Sequence, residues 1–176
     1  MFWPFRGGLS GWGSICGAIP PAAAFLAAIA EPDDHMDLTQ ELMAWYQQFP
    51  FPETQLGDTG ELPQTPVNSS LCHVSITKWM VYANKEHGMD IESRGDDRRG
   101  DRCAGLTADV AAYTIEMMNK FIDGEFEVVH TPAEVRDDCM ACHDDTGGNH
   151  DYAAHGQEDC TECHTDKWED YTEDHP

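Results

Sequence analysis

The chain has 176 residues, 33 acidic side chains against 10 basic ones, and a formal net charge of -23. That balance excludes nucleic-acid binding driven by phosphate neutralisation, and no apolar run approaches the roughly 20 residues that cross a bilayer as a helix. At 40% hydrophobic residues the chain as a whole is not disordered by composition, so one or two folded domains are expected.

The first thirty residues imitate a secretory leader: Arg6 precedes an apolar run, and Ala28-Ile29-Ala30 before Glu31 resembles a signal-peptidase site. The reading favoured is a buried Gly- and Ala-rich segment with a helix over 21–30, in a chain whose true export signal lies outside this numbering. A helix over 38–48 follows, with Asp37 and Gln40 spaced as a capping box and Leu38, Leu42 and Trp45/Tyr46 at helical intervals. Pro50, Pro52, Pro63 and Pro66 then mark an extended loop. The next helix spans 71–87, with Cys72, Ile76, Trp79, Met80 and Ala83 on one face and Gly88 at its stop.

Arg94, Arg98, Arg99 and Arg102 interleave with Asp96, Asp97 and Asp101. Such a segment reads as a solvated loop that neutralises its own acids, or as guanidinium groups that bind carboxylates such as haem propionates bidentately. A last helix follows Thr107, striped by Leu106, Val110, Tyr113, Met117 and Phe121 and ended by Gly124. The predicted fold is therefore mainly α: a helical domain over 1–136, then a cofactor-binding segment over 137–176 with little regular structure.

That last segment holds thirteen Asp or Glu, four of the seven Cys and five of the nine His, and no Val, Ile, Leu or Phe. Ordering a residue costs roughly 1–2 kcal/mol of backbone entropy, which this composition cannot offset by burying its own side chains. Either the segment is a solvated tail, or a bound group supplies the missing apolar surface. Cys139-Met140-Ala141-Cys142-His143 and Cys160-Thr161-Glu162-Cys163-His164 both fit covalent attachment of haem c. Each thiol adds across a vinyl group of one porphyrin, and the adjacent imidazole turns beneath the ring to bind iron. Four thiols alone would also match a zinc ribbon, but zinc does not require His directly after both pairs. His143 and His164 are the expected fifth ligands. Sixth ligands are sought at His130, nine residues before Cys139, at His150, ten before Cys160, and at His155, with His175 able to fold back. His35, His73 and His87 are assigned to helical and cap positions; Met117, Met118 and Met140 could ligate, but a Met on a helical stripe is more often core.

Cys16, Cys72 and Cys103 remain. Gly11-Trp12-Gly13-Ser14-Ile15-Cys16-Gly17-Ala18, two later single cysteines and two closing haem motifs resemble the split-Soret cytochrome c family. The resemblance implies a mainly helical homodimer with two bis-His haems per subunit, one iron taking a His from the other subunit, and an iron–sulfur cluster on the non-haem cysteines. Two departures stand out: three such cysteines where four thiolates are usual, and Pro21 where the family's turn has a Gly. Three buried packing thiols are the competing reading.

The functional expectation is electron transfer through two bis-His haems, with redox protein partners that carry a basic docking face, no nucleic acid and no transmembrane segment. Covalent haem attachment places the protein in the periplasm or outside the cell. A subunit of an extracellular haem filament, a multihaem enzyme with an open haem, and a zinc module are the alternatives.

Overall fold

A computed structural model describes residues 3–134, 137, 140, 156–159 and 161. The chain forms two compact units, Met1–Thr131 and Pro132–Pro176. The first is helical: a short 3-10 turn at Trp3–Phe5, then α1 (Ile19–Ile29), α2 (Pro32–Gln48), α3 (Cys72–His87) and α4 (Asp97–Ile122). Among the described residues only isolated bridges occur, Ile15 with Leu71 and Phe51 with Thr65.

α1 and α2 carry prolines in their first turn, which have no backbone donor to leave unpaired. Pro20 and Pro21 lie in the first turn of α1, where the missing N–H has no partner to lose, and this accommodates a proline in place of the family's glycine. The apolar run of the leader-like segment is α1 itself, with Ile19, Ala22 and Leu26 buried. α2 begins six residues before the expected start: Pro32 opens the helix and Asp33 and Asp34 sit at its positive end, so Asp37 is interior and caps nothing. α4 corrects the sequence reading further. It begins at Asp97 rather than after Thr107, because the Asp96 carboxylate accepts from Arg98 N and caps the end. From Asp97 onward the Arg/Asp segment is thus helical, not a solvated loop. α3 ends as expected on Gly88, whose φ of 60° is the left-handed conformation open to glycine.

One core joins Ile19 and Leu26 of α1, Leu38, Leu42, Trp45 and Tyr46 of α2, and Leu106, Val110, Met117 and Met118 of α4. Trp45 stacks on Tyr113 with ring centroids 4.0 Å apart and planes 3° off parallel. A smaller core, Leu62, Ile76, Trp79, Ala83 and Ile91, sits beneath the Pro-rich connection, with Cys103 packed against it. The connection is tied down by polar contacts: Asp109 of α4 accepts from Glu53 N and Thr54 N, both at 2.9 Å, and Asp101 accepts from the Thr59 hydroxyl at 2.6 Å. No helix among the described residues is long and apolar enough to cross a membrane.

Candidate metal centre

Three separate stretches of chain bring the non-haem thiols together. The Gly-rich turn is laced antiparallel to the start of α3: Cys16 N donates to Ser70 O at 2.8 Å, and Cys72 N to Ser14 O at 2.7 Å. The lacing needs glycines. Gly8 (φ 66°) leaves only 2.7 Å between an added Cβ and the Cys72 Cβ, and a Cβ on Gly17 would meet Phe5 O at 2.1 Å. α4 contributes Cys103 beside Arg102. All three thiols, with Arg99, Arg102 and Ser75, line one cavity of about 840 Å³ whose remaining wall is largely apolar, including Phe25, Leu106, Val110 and Ile115.

A hydrogen-bonded chain runs from Arg102 to Tyr46 beneath the thiols. The Arg102 guanidinium donates from Nη2 to Ser75 Oγ at 3.0 Å, and Ser75 Oγ lies 3.2 Å from the Tyr46 hydroxyl. The Tyr46 hydroxyl also acts on the Cys16 thiol, favouring its ionised form. With the serine oxygen accepting from arginine, its own proton is free for the Tyr46 oxygen. Burial pushes the Cys16 thiol up, and Tyr46, Ala18 N and the Arg102 charge oppose this without reversing it. Burial raises Cys72 as well, with Cys16 and Cys103 adding to the effect and Arg99 and Arg102 opposing it. Free of metal, these are protonated thiols. A cation that binds them must displace their protons, and the two guanidinium groups favour the thiolates that result.

Does the donor set fit iron? Cys16, Cys72 and Cys103 are free and of intermediate burial. Among the described residues no three Cys, His, Asp or Glu side chains converge closely enough to hold a single metal ion. Soft thiolates spaced around a cavity suit a polynuclear centre, in which each sulfur binds a different iron. Arg102 provides an independent sign of a missing anion. It is 2% exposed, and its Nε is the buried donor without a hydrogen-bond partner among the described residues. The residues therefore fit an anionic, thiolate-held group.

His130 occupies a second constellation. The Glu41 carboxylate, 1% exposed, accepts from the Tyr113 hydroxyl (2.7 Å), Val129 N and His130 N (both 2.9 Å), and His130 Nδ1 (2.6 Å). Burial alone would raise the Glu41 carboxyl, but the bonds from His130, Tyr113 and Val129 outweigh it and hold the group below its ordinary value. The ionised carboxylate can only accept, so Nδ1 carries the proton and Nε2 keeps a lone pair for a metal. The sequence reading missed Glu41 and Arg102 as buried groups, although both follow helical stripes: Glu41 stands three after Leu38, and Arg102 four before Leu106. Of the guanidinium groups offered as propionate binders, Arg98 instead pairs with Asp96 at 2.5 Å, and Arg99 donates to Arg94 O at 3.1 Å. Met117 and Met118 are core. His73 Nδ1 lies 2.8 Å from Gly13 O, and His35 and His87 lie on α2 and α3. Cys139, Cys142, His143, His150, His155, Cys160, Cys163, His164 and His175 lie outside the described residues.

The chain is similar to known redox proteins. Residues 1–117 match the family of redox-active proteins described as C_GCAxxG_C_C. The chain is 36% identical over 167 residues to the split-Soret cytochrome c of Desulfovibrio desulfuricans, covering 91% of this chain and 57% of that protein, so it spans less than two thirds of the relative's length. It is also similar to a solved structure of split-Soret cytochrome c from that organism, in which a novel iron centre is described. The match has 30% identity and a TM-score of 0.81, and covers 100% of this chain and 74% of that one.

Proposed function

The chain belongs to the split-Soret cytochrome c family of redox-active proteins, and from that premise we propose that it is an electron carrier with two covalent haems c and a thiolate-bound iron centre. The observation that carries the reading is the convergence of Cys16, Cys72 and Cys103, far apart in sequence, on one cavity beside a buried arginine. Bound haem and iron supply one-electron reduction and reoxidation. The chain's own residues hold and tune them. Cys139 with Cys142 and Cys160 with Cys163 attach the porphyrins, His143 and His164 are the fifth ligands, and His130, His150 and His155 supply sixth ligands. For His130 the support is its geometry, since the bond to Glu41 fixes the tautomer that leaves Nε2 free.

Cys16, Cys72 and Cys103 bind an iron–sulfur cluster whose fourth ligand comes from elsewhere in the chain or from a partner subunit of a homo-oligomer. The many spare histidines favour closed, low-spin haems over an open catalytic iron. The carrier works in the periplasm or outside the cell and docks redox proteins through their basic faces, as its net charge of -23 favours.

The test is a count of cofactors on the purified protein. Pyridine haemochrome spectra and intact mass are expected to give two covalent haems per chain, total iron to exceed haem iron, and ferric haem to be low-spin by electron paramagnetic resonance. Pigment removed by acid–acetone would defeat the covalent assignment, total iron equal to haem iron would defeat the cluster, and a high-spin signal at neutral pH would favour the enzyme alternative.

A further inference from the structure

We propose that Arg102 is the built-in counter-charge of the iron centre, raising its reduction potential and its retention of iron; this rests on the thiolate-iron reading above. The argument begins from an unbalanced charge. Arg102 is 2% exposed, yet among the described residues no carboxylate pairs with it. Its visible partners are neutral: Ser75 Oγ at 3.0 Å and the Trp79 ring, 5.9 Å from the guanidinium carbon. Nε has no partner among the described residues.

A buried guanidinium left in this state is costly, since a charge out of water needs an opposite charge or a full set of hydrogen bonds. The same side chain lines the cavity that holds Cys16, Cys72 and Cys103. Three thiolates bound to iron would put negative charge into that cavity. Ser75 Oγ also links the Arg102 guanidinium to the Tyr46 hydroxyl.

Arg99 lines the cavity too, but it is only partly buried and its Nη1 donates to a backbone carbonyl, so solvent screens its charge. Arg102 is the more deeply buried of the two and the one whose charge reaches Cys16, although Arg99 weighs more at Cys72. When the centre is reduced, one electron from the reductant converts one ferric iron to ferrous iron, and the cavity gains one negative charge with no proton moved. A fixed cation nearby stabilises the reduced form more than the oxidised form. The fork also contributes a donor, Nε, that a sulfur acceptor can satisfy.

The experiment uses the full holoprotein, poised with mediators and dithionite, reading the iron centre by electron paramagnetic resonance and non-haem iron by total minus haem iron. Arg102→Met should raise the oxidised-to-reduced ratio at a fixed poise at least tenfold, a shift of about 59 mV for one electron. Arg102→Lys should stay within threefold of wild type, and Arg99→Met should shift less than Arg102→Met. Haem spectra should not change in any of the three.

If Arg102→Met loses the iron altogether, retention of iron by Arg102→Lys supports the counter-charge, and its loss there too overturns it. A ratio for Arg102→Met equal to wild type, or an equal shift for Met and Lys, also overturns it. Absence of non-haem iron from wild type would instead remove the iron reading itself, a result distinct from any of these.

Discussion

Asp96 shows how much one side chain sets in this chain. Its carboxylate accepts from Arg98 N at 3.0 Å, Arg98 Nε at 2.8 Å and Arg98 Nη2 at 2.5 Å, so it caps α4 and clamps the first turn at once. Arg98 holds the carboxyl below its ordinary value, chiefly through the side-chain bond, which outweighs the opposing desolvation, with a lesser contribution from the backbone N–H. A depressed folded value means that the contribution is complete above the unfolded carboxylate range and disappears as pH falls through the folded value. Asp96→Ala should therefore melt below wild type at pH 7 by circular dichroism, with a gap that is constant down to about pH 5 and closes in stronger acid. A gap independent of pH would show that the cap does not act through its charge.

At the scale of the elements, the same cap explains what the sequence concealed. An Arg/Asp-rich run has the composition of a solvated loop, and the apolar stripe beginning at Leu106 made Thr107 the natural start. Yet Arg102 extends that stripe by one turn, and its burial follows from the register of α4 rather than from its own chemistry. α2 misled in the opposite way: Asp37 and Gln40 have capping-box spacing, but Pro32 and two following acids five residues earlier are the stronger start signal. Helix existence and the stop at Gly88 were legible because periodicity and a left-handed cap are local properties. The meeting of three cysteines was not, since it depends on the Gly-rich turn pairing with Leu71 and Cys72, a contact between distant segments. Cys16, Cys72 and Cys103 could be singled out only by their number and by resemblance.

Gly105 tests how tightly that assembly is held. A Cβ there would stand 2.1 Å from Thr54 O and 2.8 Å from the Pro52 Cβ, so α4 touches the Pro-rich connection with no space for a methyl group. Gly105→Ala would gain helix propensity but must push α4 or the connection away, an overpacking cost of typically 1–3 kcal/mol, about the same size as or larger than the propensity gain of about 1 kcal/mol. Cys103 is two residues before Gly105, and Asp109, which holds Glu53 N and Thr54 N, is one turn after it. The expected outcome is a lower denaturation midpoint together with reduced non-haem iron, because moving α4 moves Cys103 relative to the other two thiols. A variant that is destabilised yet retains full iron would show that the connection, not α4, gives way.

For the whole molecule, charge decides the long-range behaviour. Residues 137–176 carry thirteen acids and one Lys, so about half of the net charge of -23 lies in the stretch that holds both Cys-x-x-Cys-His motifs. Ionised propionates would add to it. A field of that sign attracts a basic surface from a distance comparable to the screening length, roughly 30 Å at 0.01 M ionic strength and about 10 Å at 0.1 M. Steering of this kind raises association rates by about 10- to 1,000-fold and is lost as salt rises. Stopped-flow electron exchange with a strongly basic redox protein should therefore slow at least tenfold between low and physiological ionic strength, whereas exchange with an acidic partner should start slow and quicken. A rate constant with the basic partner that does not change with salt would mean that electrons enter or leave through a surface the acidic charge does not govern. In that case the acidity would serve solubility rather than docking.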